Sequence, residues 1–149
     1  MEQVQLEVVD IWHFGMSALF QPQKPLNELA AEVAAVWPAD PEDTDVLTAA
    51  EALAGVAAGE QRFSVPHFAV LLKAADMDFA ELVRQYLGKN VLNFFRQDHG
   101  YKDGSYRKLW DGREDNEHLM ELLQDVDTAA SDAEQQLYAA LSKRYEATA

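Results

Sequence analysis

Residues 3–20 constrain the fold more than any other stretch. On a helical wheel Val4, Val8, Ile11, Trp12, Gly15, Ala18 and Leu19 share one broad face, and Val9, Met16 and Phe20 widen it until most of the circumference is apolar. A helix of that kind wants neighbours on nearly every side, so the chain is expected to pack helix on helix. The composition agrees: of 149 residues 48% are hydrophobic, with seven Gly and five Pro, which suits a packed helical protein and not a disordered or all-β one. No strand pattern stands out. The length is that of one domain, able to bury about two thirds of its unfolded surface, and residues 1–149 show no internal repeat and no low-complexity tract.

Start and stop signals divide the chain into helices. The first, about Gln3–Phe20, is ended by Pro22 and Pro25, and a second, about Leu26–Trp37, by Pro38. After the acidic loop PADPEDTD comes a third, about Val46–Ala58, with Gly59 as its C-cap. Ser64 is an N-cap with Pro66 in the first turn of the next. Asp78 with Glu81 makes a capping box for the longest, about Phe79–Asp98, closed by Gly100. A loop follows, then a helix of about Glu114–Asp125, and a last one that begins at Ser131 with Glu134 and frays in YEATA.

Several function classes drop out. The chain has no cysteine, so disulfides and thiolate-ligated metals are excluded. No apolar run is long enough to span a membrane, and no leader pattern precedes residue 20, which reads as a cytoplasmic protein. A net charge of −14 argues against nucleic-acid binding. Its distribution is uneven. Arg84, Lys89, Arg96, Lys102, Arg107, Lys108 and Arg113 stand against Asp98, Asp103 and Asp111, seven cations to three anions, so that window is net +4 and the remainder −18. Four of the seven glycines lie in it, at 88, 100, 104 and 112. A basic island with glycines suits a small polyanion, because glycine lets backbone N–H groups approach phosphate. It equally suits a salt-bridged, solvated surface.

Two constellations carry chemistry. On the first helix Gln3, Glu7, Asp10, His13, Ser17 and Gln21 form the polar stripe, and Glu7 and Asp10, three apart, project from one side where they can share a hard cation. Two carboxylates do not close an octahedral site, and the same stripe is what a solvated helix face looks like. On the long helix Lys89, Asn93 and Arg96 recur along one edge. Beyond it Lys102, Tyr106, Lys108 and Trp110 sit in a glycine-containing segment, residues 100–113, that can fold over a triphosphate. The other reading makes Tyr101, Tyr106 and Trp110 loop anchors that pack on the bundle.

The order of these residues resembles a known family. KNVLNFFRQDHGYKDGSYRKLWDGREDNEHL is similar to the C-terminal signature of the dimeric all-α dUTP pyrophosphatases, of the MazG-like nucleotide pyrophosphohydrolases, and LEVVDIWHF resembles their second metal motif. Together the two cover under a third of the chain. The resemblance implies an all-α bundle and Mg2+-dependent hydrolysis of dUTP to dUMP and pyrophosphate, dUDP being a further candidate substrate, by a homodimer or larger assembly. Glu7 and Asp10 match metal ligands; Lys89, Asn93, Arg96, Lys102, Tyr106 and Lys108 match nucleotide or phosphate contacts; His13, Trp110 and Asn116 fall to sugar, base or the ordered loop.

One departure modifies that expectation. The family carries a first E-x-x-E metal pair, with its water-activating glutamate, upstream of the E-x-x-D helix, whereas Glu7 lies six residues from Met1. Glu28 and Glu32 are four apart and do not replace the pair. The chain is therefore expected to be an N-terminally shortened or catalytically impaired form with little dUTP hydrolysis, the alternatives being an inactive nucleotide-binding homologue or a helical interaction protein.

Overall fold

The computed structural model describes residues 2–148. Among them are seven helices, α1 (Glu2–Leu19), α2 (Leu26–Val36), α3 (Val46–Glu60), α4 (Val65–Ala74), α5 (Phe79–Asp98), α6 (Asp115–Leu123) and α7 (Ala133–Ala147), with a small hairpin, β1 (Leu109–Trp110) and β2 (Arg113–Glu114), between α5 and α6. The fold is all-α, as expected.

Local chemistry sets most helix ends. The Asp45 carboxylate accepts the Thr48 N–H at 3.0 Å and starts α3, and Asp78 accepts the Glu81 N–H at 2.7 Å and starts α5. Gly100, at φ 86°, closes α5 while the Tyr101 N–H reaches back to the Arg96 carbonyl at 2.9 Å. Four details differ from the sequence reading. Helix α3 runs through Gly59 to Glu60, because Gln61 takes the left-handed turn at φ 52°. The Ser64 hydroxyl sits at the N-cap of α4 but bonds the His67 ring at 2.7 Å instead of a backbone N–H. The hairpin was not foreseen; Asp111 and Gly112, at φ 51° and 79°, make its two-residue turn, pairing Leu109 with Glu114 and Trp110 with Arg113. Helix α7 starts at Ala133, after Asp132 and not at Ser131, and continues to Ala147 in place of fraying.

Contacts gather into two compact units, Met1–Leu82 and Val83–Ala149, with the boundary inside α5. In the first, Val8, Val9 and Trp12 of α1 are buried with Phe68, Leu71 and Leu72 of α4 and Ala49 and Leu53 of α3, and Trp12 stacks on Phe68 at 4.9 Å. Gly15 is the contact point for Phe63, since a Cβ there would meet the ring at 2.4 Å. The broad apolar face expected of α1 is only partly used: Met16 and Phe20 stay 38% and 53% exposed at an apolar cavity of about 880 Å3 between α1, α2 and α4. Helix α2 borders that cavity and buries none of its residues.

The second unit is built around Phe95. Its ring lies 3.9 Å from His99, 5.4 Å from both Tyr138 and Tyr145, and 5.8 Å from Trp110. Leu119, Leu123, Leu137 and Leu141 complete the core. The Arg107 guanidinium covers the Tyr145 ring at 4.2 Å and donates to the Tyr145 and Thr148 carbonyls, both at 2.8 Å. Those contacts satisfy carbonyls that a helix end leaves open, which is why α7 does not fray.

Candidate functional site

The carboxylate pair lies in the first unit. Glu7 is exposed and accepts a bond from Gln3 Nε2 at 3.1 Å, and Asp10, one turn on, is half-buried. His13 is half-buried as well, its Nδ1 donating to the Val9 carbonyl at 3.2 Å. Among the described residues no three His, Asp or Glu side chains converge as metal ligands. Two carboxylates do not by themselves fit a hard divalent cation, which takes about six oxygen ligands.

The other candidates lie in the second unit, and they sort into two kinds. Lys102 and Lys108 are exposed. Lys102 has no hydrogen bond or ion pair among the described residues, and Lys108 leans on Glu114 at 3.3 Å. Lys89 is buried at 7% exposure and Asn93 is half-buried along the same helix. Arg96, Tyr106 and Trp110 are bonded to groups of the same unit. Trp110 is fully buried, with Nε1 donating to the Arg107 carbonyl at 2.7 Å and its ring stacked on His118 at 5.2 Å. Of the two sequence readings of Trp110, anchor and nucleotide contact, this placement is the anchor.

Arg96 meets a partner that sequence reasoning missed. Asp115, fully buried at the start of α6, accepts Nε at 2.7 Å and Nη2 at 2.8 Å, a bidentate ion pair. The same carboxylate accepts the Tyr106 hydroxyl at 2.8 Å. Burial works against the Arg96 charge, but Asp115 and the nearby Tyr106 oxygen outweigh it, so the guanidinium holds its proton more firmly than an ordinary arginine. Burial, then the bond to Asp115, pushes the Tyr106 phenol well above the usual tyrosine range. Tyr106 also stacks in parallel on Tyr145 at 5.6 Å. The segment expected to fold over a ligand is therefore pinned at Tyr106 and Trp110, while residues 101–105, 108–109 and 111–113 are exposed. Asn116, next to Asp115, keeps a buried Oδ1 with no hydrogen-bond partner among the described residues. Asp115 lies two residues past the last cation of the basic window, in REDN, but no periodic spacing links it to Arg96.

The fold is all-α, and in an otherwise acidic chain the cations gather on α5 and the segment after it. The chain belongs to the all-α dUTPase family: the family model for dUTPase matches residues 1–101. That match takes in Glu7, Asp10, His13, Lys89, Asn93 and Arg96 and ends before Lys102. No curated protein matches the chain. Among the described residues no helix is long and apolar enough to cross a membrane.

Proposed function

We propose that the chain acts on dUTP, as a nucleotide hydrolase that splits it with water into dUMP and pyrophosphate. The observation that carries this reading is that one dUTPase match spans both the E-x-x-D helix and the Lys89, Asn93 and Arg96 edge. In the reaction water attacks a phosphorus, the bridging P–O bond breaks, and the charge leaves on pyrophosphate. The basic loop is suited to the electrostatic part: Lys102 and Lys108 face solvent and offer cations to a triphosphate, and Arg96 adds directional N–H donors. In the first unit Glu7 and Asp10 would offer two oxygen ligands to Mg2+.

A second reading, a homologue that binds the nucleotide without consuming it, is favoured by the lack of a third acidic or His ligand among the described residues. The exposed Phe14 and Met16 of α1, with Phe20 just after it, support self-association into a homodimer or larger assembly, and a cytoplasmic location completes the reading. Pyrophosphate release from dUTP with and without Mg2+ tests it. Mg2+-dependent release that disappears in Glu7→Gln and Asp10→Asn supports the hydrolase. Melting-temperature shifts with dUTP but no pyrophosphate support the binding homologue, and neither response overturns both.

A further inference from the structure

One carboxylate in the second unit holds two elements that lie far apart in sequence. Asp115 fixes Arg96 of α5 through both oxygens, and through the Tyr106 hydroxyl it fixes the end of the loop that carries Lys102. We propose that Asp115 is a positioning residue for triphosphate recognition, aiming the Arg96 guanidinium and setting the loop of Lys102. The inference rests on the nucleotide reading above and goes beyond it by giving a role to a residue that cannot itself meet an anion. Arginine has five N–H donors, and Asp115 engages only Nε and Nη2. Nη1 therefore stays outside the ion pair with Asp115. The Tyr101 ring flanks the guanidinium, its centroid 5.8 Å from Cζ. A long, flexible side chain is thus locked in one orientation with an edge still able to donate. Arg96 is also 14% exposed, so that edge is not sealed in the core.

Charge and geometry make opposite predictions here, which gives the test its sign. An anion beside Arg96 weakens its pull on phosphate, so a purely electrostatic effect of Asp115→Asn is tighter triphosphate binding. Loss of positioning gives weaker binding. A merely structural role lowers affinity for every nucleotide alike.

Calorimetric titration of the 149-residue chain and its variants with α,β-imido-dUTP and with dUMP, both with Mg2+, separates the three. Asp115→Asn is expected to bind the imido triphosphate about tenfold more weakly while dUMP stays within about twofold. Tyr106→Phe keeps the ion pair and the ring packing and releases only the loop. It is expected to lose about fivefold for the triphosphate and nothing for dUMP, and it decides the matter if the Asn variant does not fold. Unchanged or tighter triphosphate binding, or parallel loss of both ligands, overturns the positioning role and leaves the nucleotide reading standing. Failure of the unaltered chain to bind either ligand overturns the nucleotide reading and the positioning role with it.

Discussion

The two compact units reach order by different physics. The first relies mainly on apolar contact, its polar ties, such as Gln5 Nε2 to the Ala75 carbonyl at 3.0 Å and Lys73 Nζ to the Pro41 carbonyl at 2.7 Å, lying outside the core: Trp12, Phe68 and Leu72 fill its centre, yet α2 buries nothing and an apolar cavity of about 880 Å3 remains beside it. The second adds directional restraints to its aromatic core. Asp115 ties helix to loop, Arg107 ties loop to the end of α7, and His118 Nε2 donates to the Trp110 carbonyl at 2.8 Å. Apolar burial is non-directional and tolerates several arrangements, whereas a buried bidentate pair tolerates one. The unit that carries the basic loop is accordingly the one whose geometry is most closely specified.

The largest expected effect that can break this contrast is in the aromatic core. Trp110→Ala is expected to cost about 3–5 kcal/mol in urea unfolding, against about 1 kcal/mol or less for Leu29→Ala on α2; similar losses at both sites would end the distinction. Asp115→Ala leaves the Arg96 charge buried and unpaired, and about 3 kcal/mol of destabilisation is expected, with the double change Arg96→Leu and Asp115→Leu recovering most of it. Glycine substitutions sharpen the comparison at smaller scale. A Cβ on Gly88 would meet Leu123 Cδ1 at 2.6 Å, so Gly88→Ala is expected to cost about 1 kcal/mol. Gly55, in α3 of the first unit, has open space around it, and Gly55→Ala should stabilise by about 0.5–1 kcal/mol.

The smallest effect concerns alkaline pH. The folded protein holds the Tyr106 proton more tightly than the unfolded chain does. That contribution is full below about pH 10, the unfolded value, and is lost as pH rises from there toward the folded value. Tyr106→Phe should therefore flatten part of the fall in melting temperature above about pH 10. Tyr138, raised by its bond to Asp98 and then by burial, keeps its own share. An unaltered slope would place the Tyr106 phenol outside the Asp115 bond in solution.

What was legible in the sequence was what is decided within a few residues. Asp78 and Gly100 fix the ends of α5 locally, so its span was readable as Phe79–Asp98. The hairpin hid because its strands are two residues each, too short to show alternation, although Asp111-Gly112 is a strong turn pair. The end of α7 was misread because its carbonyls are satisfied by Arg107, some forty positions earlier. Arg96 stood out in the sequence as one of a row of polar side chains along α5, but its partner lies nineteen positions away on another helix, a spacing that no helical period reveals. The E-x-x-D pair was readable, and the Asp115 centre was not, for the same reason: one follows from a helix turn and the other from tertiary packing.

The measurement that bears most directly on nucleotide recognition is the melting temperature of the chain with α,β-imido-dUTP and Mg2+, set beside the dTTP and dCTP counterparts. A ligand that binds only the folded state raises stability by RT ln(1 + [L]/Kd). A clear shift with the uracil nucleotide and smaller ones with the other two is the predicted result. Equal shifts with all three, or none with any, would contradict recognition of dUTP by this chain.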